Sequence, residues 1–425
     1  MGSSVTLEEI AHKIPPEEMQ FHRGTIADLL GRQQLSFPGA QPVSFARNHF
    51  LELQRTDYYL CEKTDGIRCL LYLTAFTGGQ EAQFLIDRKN DYYYIPNEAL
   101  HLPKQGNLMG FHTGTLLDGE LVRQNCEDGS TKLVYLIFDG LCLDGQSICN
   151  RQLDIRLGKI RAFVYEPWVE FARQYPEDAQ VQPFQLQLKK MEVPYASEMM
   201  FREILPNLPH GNDGLIFTCK STPYVAGTDV HILKWKPPHE NTIDFKLQLG
   251  YFPYAEDSEG EYEDYDAKPD IDLMVNHGDR EGYQKFANLA LTDEEWEKIK
   301  EMKEQIDGRI IECFLDPASG QWRPKIEKDG TPRYRDDKWD GNHISTVRSV
   351  IESIQDGVTE QDLITNSHKI RDAWKKREAE AKQRRDAEKR RAKEAEQSKR
   401  SQAEAARQRQ QAMDQDDDDA PKYDD

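Results

Sequence analysis

Lys63 is the residue whose sequence surroundings most strongly suggest covalent chemistry. It lies in the run YYLCEKTDGIRCLLYLT, where Asp65 and Gly66 interrupt an otherwise strand-like apolar pattern. A lysine attacks phosphorus only as the neutral amine, which is a minority form at an ordinary pKa of about 10.4. Nearby cations or burial must therefore favour loss of its proton. Lys63 is a candidate nucleophile, provided that the fold surrounds it with cationic side chains.

A pair of lysines later in the sequence could supply such cations. Lys234 and Lys236 in the run HILKWKPP are two residues apart, so on a strand they share one face and Trp235 takes the other. Two lysines on one face suit a phosphate group, although solvated lysines on an exposed face are the common alternative. Arg68 and Arg88 could hold ribose or phosphate oxygens in the same way.

Carboxylates recur at the ends of predicted strands. Asp118 and Glu120 share one face of the run TLLDGELV, and Asp213 precedes the strand-like run in NDGLIF. A divalent metal held by carboxylate and phosphate oxygens needs such groups, whereas simple Asp-Gly turns are the alternative. Phe138 in YLIFDG could stack on a base, or it could fill the core as most aromatic residues do.

A second basic group lies towards the C-terminus. Arg333, Arg335 and Lys338 occur close together in the segment WRPKIEKDGTPRYRDDKWDGNH. Alternating arginines on a strand could clamp a triphosphate, and an exposed hairpin with ion pairs is the alternative.

These residues fall within elements that predict two folded domains and a tail. From residue 37 to 238, short apolar runs alternate with Gly, Asn and Asp turn signals, which indicates one antiparallel-rich sheet domain. Residues 239–350 continue with strand-like runs and one helical stretch, as in a small OB-type β-barrel. After Trp374 the composition favours helix, but it offers no apolar seam for a partner helix. We therefore predict an α+β fold with an antiparallel-sheet domain at 1–240, an OB-fold β-barrel domain at 241–355, and a charged helical tail at 356–425 that ends in an acidic segment.

The net charge of −20 is distributed unevenly. Residues 369–410 carry sixteen Lys or Arg against eight Asp or Glu, and residues 411–425 carry seven Asp against one Lys, which leaves about −22 on residues 1–368. An acidic body excludes a broad nucleic-acid-coating surface, so phosphate chemistry must rest on a few local cations. No apolar window suits a membrane span, and seven scattered cysteines without C-x-x-C spacing indicate reduced thiols.

Six short motifs follow one another in a recognisable order. They are KTDG, DGE, the aromatic-aspartate segment IFDG, DGLIF, KWK and RDDK. This order resembles that of the covalent nucleotidyltransferase superfamily, which contains ATP-dependent DNA ligases, RNA ligases and mRNA capping enzymes. KTDGIR, HILKWKPP, the following NTIDF and the upstream FPGAQPVSF resemble specifically the GTP:RNA guanylyltransferases of capping. The resemblance runs from about Phe37 to His343. Because the stretch before Phe37 is shorter than a phosphatase domain, we expect the monofunctional, fungal-type enzyme.

The resemblance implies an mRNA guanylyltransferase that works in two steps. Lys63 would attack the α-phosphate of GTP and release pyrophosphate, and the 5′-diphosphate end of RNA would then displace the lysine to form the GpppN cap. Mg²⁺ or Mn²⁺ would neutralise the developing charge. Arg68 and Glu120 would hold the ribose, Phe138 would stack on guanine, Asp213 would assist the metal, Lys234 and Lys236 would contact the α-phosphate, Arg335 and Lys338 would orient pyrophosphate, and Lys189 or Lys190 would contact guanine, with Lys190 and Arg88 completing the predicted nucleotide-binding set.

The resemblance also implies partners and a location. A separate RNA 5′-triphosphatase subunit and the phosphorylated C-terminal domain of RNA polymerase II would be partners, the nucleus would be the location, and no membrane would be involved. Two alternatives are an ATP-dependent polynucleotide ligase, which shares the lysine chemistry, and a catalytically inactive binding module of the same fold. The acidic body argues against the ligase. The intact Lys63, Lys234 and Lys236 argue against the inactive module.

Overall fold

A computed structural model describes residues 5–96, 99–257, 260–327 and 329–418 of the chain. It contains two units that divide between Ser367 and His368. The first unit has mixed helices and sheets, which confirms the predicted α+β class, and the second continues the last helix of the chain. Within the described residues, no helix is both long enough and apolar enough to cross a membrane.

The N-terminal part of the first unit is built mainly from strands. In chain order they are β1 (His12–Lys13), β2 (Ala40–Ser44), β3 (Tyr58–Thr64), β4 (Ile67–Ala75), β5 (Glu81–Ile86), β6 (Tyr92–Ile95), β7 (Pro103–Lys104), β8 (Asn107–Phe111), β9 (Thr115–Asn125), β10 (Thr131–Leu143), β11 (Gln146–Ser147), β12 (Gln185–Leu188), β13 (Asn212–Cys219) and β14 (Gly227–Trp235). The α-helices are α1 (Pro16–Leu30), α2 (His49–Arg55), α3 (Leu153–Ile160), α4 (Glu166–Gln174), α5 (Pro176–Gln180) and α6 (Ser197–Met199). Single π-turns at Arg161–Tyr165 and Met200–Ile204 and 3₁₀ turns at Leu7–Glu9, Leu205–Asn207 and Pro238–Glu240 complete the helical elements.

Two sheets organise these strands. The larger has the order β1-β6-β5-β4-β9-β10-β11, with β12 added parallel to β10, and the smaller has the order β2-β14-β13-β3. Strand β4 reads as a continuous apolar run because both of its faces are buried. Leu71 and Leu73 pack in one core with Leu85, whereas Leu70 and Tyr72 pack in a second core on the other face. A sheet with two covered faces is a rigid support for side chains at its strand ends.

The C-terminal part of the first unit is a small barrel. Its elements are β15 (Thr242–Leu249), β16 (Tyr254–Asp257), β17 (Gly260–Glu263), β18 (Ile271–Asn276), β19 (Tyr283–Asn288), α7 (Asp293–Met302), β20 (Ile310–Leu315), β21 (Trp322–Pro324) and α8 (Ile344–Gln355), after which α9 (Glu360–Asp418) begins. The main sheet has the order β19-β18-β15-β20-β21, and a parallel bridge from Leu289 to Trp322 joins its two edges. A five-stranded barrel with a helix between its third and fourth strands is the OB topology that the sequence predicts.

The segment that follows α8 belongs to the first unit. The sequence assigns residues 356–425 to the tail, but the first unit extends to Ser367. Val358 and Leu363 are buried there, and the Trp235 indole donates a hydrogen bond of 2.7 Å to the carbonyl of Val358. These two apolar residues stand alone in a polar stretch, so they carry no periodic signal that would mark them as core.

Candidate active site

Lys63 lies in a pocket between the two sheets of the N-terminal part. The pocket is lined from β3, β4, β9, β10, β13 and β14, and Lys63 comes from the last turn of β3. The chain then reverses at Asp65 and Gly66, whose backbone passes very close to β9. A Cβ at Gly66 would lie 2.6 Å from the carbonyl oxygen of Leu121, so only glycine fits there. The Asp-Gly interruption therefore lets β3 end at Lys63 and β4 return beside it.

Asp213 holds Lys63 together with a second lysine. The Lys63 and Lys236 ammonium nitrogens each lie 2.6 Å from a different Asp213 carboxylate oxygen. Burial raises the pKa of Asp213, but the two lysines outweigh burial and keep that pKa below its ordinary value. Next in sequence, Gly214 has a φ of +146°, and a Cβ there would collide with the carbonyl of Trp235. Asp213 is thus placed where β13 and β14 approach most closely.

Further cations surround this ion-pair group. Burial lowers the pKa of Lys234, and repulsion from Lys236, Lys63 and Arg88 lowers it further. Burial also lowers the pKa of Arg88. Four basic side chains therefore act on one another across a site where Asp213 is the carboxylate that pairs directly with two of them. Such an excess of positive charge favours a polyanionic ligand such as a triphosphate.

Arg68 is fixed in the pocket by a buried carboxylate. Its guanidinium donates to both Asp118 oxygens, at 3.1 and 2.7 Å, and to the carbonyl of Ala40. The Tyr224 hydroxyl donates to the same carboxylate at 2.5 Å. Asp118 is fully buried, so removing it would leave an unpaired charge and cost about 3–5 kcal/mol. Asp118 therefore positions Arg68, a role that the sequence did not assign to it.

Glu120 and Phe138 form another wall of the pocket. Glu120 accepts a 3.2 Å hydrogen bond from the Gly66 amide, and burial raises its pKa above the ordinary value. The Arg68 guanidinium lies 5.5 Å from the centre of the Phe138 ring, and the Lys189 ammonium lies 5.9 Å from it. A half-exposed ring held between two cations offers a free face to a base.

The structure separates the two lysines that the sequence left as alternatives. Lys189 lines the pocket, is buried, donates a hydrogen bond to the Thr64 hydroxyl and lies 3.5 Å from Glu62. Lys190, which was included in the predicted set, is 77% exposed and pairs with Glu192 at 2.8 Å, outside this pocket. The prediction of Lys190 therefore moves to Lys189. Because β12 ends at Leu188, the two-residue alternation of a strand could not decide between them.

Arg335 and Lys338 lie in the barrel and do not line the pocket. Arg335 contacts Asp244 at 3.4 Å and pairs with Asp337 at 2.9 Å, and Lys338 pairs with Asp244 as well. Asp244 is nearly buried on β15, so it holds both cations on the barrel surface. The structure thus brings Lys63, Arg68, Arg88, Glu120, Phe138, Asp213, Lys234 and Lys236 together and leaves these two apart.

Comparison with known proteins identifies the family. The model of the mRNA capping enzyme catalytic domain matches residues 7–238, and that of the mRNA capping enzyme C-terminal domain matches residues 240–364. The mRNA-capping enzyme subunit alpha of Neurospora crassa is 46% identical over 371 residues, covering 84% of this chain and 90% of that protein. The proteins of the same name from Schizosaccharomyces pombe and Yarrowia lipolytica are each 42% identical, covering 86% and 88% of this chain and 88% and 93% of those proteins. With its two domains matched in order and its motifs gathered in one pocket, the chain belongs to the mRNA capping enzyme family.

Proposed function

We propose that this chain is an mRNA guanylyltransferase in which Lys63 carries GMP from GTP to the 5′-diphosphate end of RNA. The observation that carries the proposal is the position of Lys63. It is held by Asp213 at the edge of a pocket that joins a group of cations to an aromatic platform. The match to capping-enzyme models favours this reaction over the polynucleotide ligase that the motifs alone left open.

In the first step the Lys63 amine attacks the α-phosphorus of GTP. A P–N bond forms, the bond between the α-phosphorus and the bridging oxygen breaks, and pyrophosphate leaves with that electron pair. The nitrogen gives up protons as the ammonium becomes a phosphoramidate. The pocket contributes mainly by orientation, because Asp213 fixes Lys63 while Lys234 and Lys236 neutralise the oxygens of the α-phosphate.

A divalent cation fits this site as a companion of the substrate. Among the described residues, no group of three His, Cys, Asp or Glu side chains could hold a metal ion alone. Mg²⁺ commonly needs only one or two carboxylates when phosphate oxygens complete its shell, and Asp213 can provide one. When bound, Mg²⁺ or Mn²⁺ would neutralise charge on the leaving pyrophosphate.

Guanine selection is assigned to Lys189. An ammonium can donate to the O6 acceptor of guanine, whereas the corresponding group of adenine is an amino donor. We expect Lys189→Met to raise the GTP concentration needed for half-maximal labelling by about tenfold and to narrow the preference for GTP over ATP. Lys190→Met is the matched control and should change neither quantity, because its side chain is exposed. Equal effects of the two substitutions would contradict this assignment.

The relatives suggest partners for the chain. Their shared name, mRNA-capping enzyme subunit alpha, implies a second subunit, and we propose that an RNA 5′-triphosphatase fills that place here. An RNA polymerase II tail in its phosphorylated form would bring the enzyme to new transcripts. We also propose a nuclear location, with the basic clusters of residues 369–410 as the import signal.

The proposal is tested by labelling the protein itself. The purified full chain is incubated with Mg²⁺ and α-labelled GTP or ATP, denatured and examined for retained label. We expect label from GTP only, and its transfer to RNA with a 5′-diphosphate end but not to RNA with a 5′-hydroxyl end. Label from ATP instead would support the ligase, and no label from either nucleotide would support the inactive binding module.

A further inference from the structure

We propose that an open cleft beside the nucleotide pocket binds the 5′-diphosphate end and first nucleotides of the acceptor RNA. The proposal rests on the proposed function and adds a location for its second substrate. Arg23, Gln41, Lys89 and Asn90 line the cleft. Its volume of about 470 Å³ lies in the range of clefts that hold substantial ligands.

The cleft and the nucleotide pocket share one side chain. Arg88 lines both of them, so a group bound in the cleft can extend to the site of the α-phosphate without crossing the protein interior. In the transfer step a terminal phosphate oxygen of RNA forms the new P–O bond while the P–N bond to Lys63 breaks and its electron pair returns to the amine. The acceptor must therefore reach the pocket while GMP still fills it, which requires a separate route of entry.

The charge of the cleft suits a phosphodiester chain. Its described lining contains Arg23, Arg88 and Lys89 but no carboxylate, in a protein whose net charge is −20. The nearest carboxylate in sequence, Asp87, is occupied by its own turn, where it accepts hydrogen bonds of 2.9 Å from the amides of Lys89 and Asp91. A local excess of cations in an acidic protein selects where a polyanion can bind.

The wall of the cleft is preorganised and has a polar atom without a partner. Arg23 donates twice to the carbonyl of Asn90, at 3.2 and 2.7 Å, and the Asn90 amide donates to the carbonyl of Leu35 at 2.8 Å. Asn90 is 8% exposed, and its Oδ1 has no donor among the described residues. A ribose 2′-hydroxyl can donate to such an acceptor, which is a contact that RNA makes and DNA cannot.

Charge reversal at Lys89 tests the cleft. Lys89 is exposed, and its amide rather than its side chain forms the turn, so Lys89→Glu should fold normally. We expect about a tenfold weaker affinity for a short 5′-diphosphate RNA, measured by fluorescence anisotropy, and a matching rise in the KM for RNA in cap transfer. The rate of label formation from GTP should remain unchanged. Arg173→Glu, an exposed charge reversal on α4, is the matched control and should stay within twofold of the unsubstituted protein in every assay.

The two proposals fail in different assays. Equal RNA affinity and equal KM in Lys89→Glu and Arg173→Glu would overturn the cleft, even if both proteins form the GMP adduct normally. Absence of label in the unsubstituted protein would overturn the proposed function, whereas the anisotropy comparison would still decide the cleft. A salt titration gives an independent readout, because loss of one phosphate contact should reduce the slope of log affinity against log salt by about one.

Discussion

Replacing Lys63 with alanine is expected to abolish covalent labelling by GTP, a loss of at least about a thousandfold. No neighbouring side chain can take over the attack, because Lys236 is paired with Asp213 and Lys234 lies among like charges. Lys63→Arg should be equally inactive, since a guanidinium stays protonated and is a poor nucleophile. The measurement is retained label after denaturation, with the labelled peptide mapped by mass spectrometry.

The substitution should leave the fold and the binding of GTP largely intact. Asp213 keeps its 2.6 Å ion pair with Lys236 in Lys63→Ala, so no buried carboxylate is left alone. Thermal unfolding and equilibrium binding of GTP therefore distinguish a missing nucleophile from a damaged pocket. Lys104→Ala, at a site outside the pocket, is the control that should label normally. Label that persists in Lys63→Ala and maps to Lys234 or Lys236 would show that the nucleophile was wrongly assigned.

The parts of the site that sequence predicts well are those fixed by local geometry. Lys63 precedes a turn that only Gly66 allows, and Lys234 and Lys236 share a face because β14 is a regular strand. Short-range periodicity determines these positions, so the surrounding strands and the α+β class follow from the same patterns. The OB barrel follows because its strands and α7 occur in the order of that topology.

Other parts depend on contacts between residues that are distant in sequence. Asp118 binds Arg68 and Tyr224, which lie 50 and 106 residues away, and no pattern near Asp118 announces either partner. Its sequence context suggested a metal ligand or a turn, whereas burial between two donors makes it a support for Arg68. Lys189 could not be separated from Lys190, because the regular strand ends just before them. Tertiary packing decides these roles after local structure has formed.

The position of Arg335 leads to the second large effect that we expect. In the structure Arg335 is held on the barrel by Asp244 and Asp337, outside the nucleotide pocket. If it orients pyrophosphate in the first step, the barrel must move towards the pocket, and the triphosphate must replace these two carboxylates as its partner. Arg335→Ala should then slow label formation by about a hundredfold to a thousandfold, which is the usual cost of losing a cation that stabilises a transferring phosphoryl group.

The second step should be unaffected, because no pyrophosphate is present when RNA attacks the GMP adduct. The adduct of Arg335→Ala is accumulated by long incubation with GTP and pyrophosphatase, freed of GTP, and mixed with 5′-diphosphate RNA. Transfer should proceed within about twofold of the unsubstituted rate, since the losing contact belongs only to the first transition state. Arg333→Ala is the matched control, because Arg333 pairs with Glu327 on the same segment and has no assigned role in catalysis. An equal loss in both steps would mean that Arg335 supports the barrel itself, and the movement inferred from its place beside Asp244 would have to be abandoned.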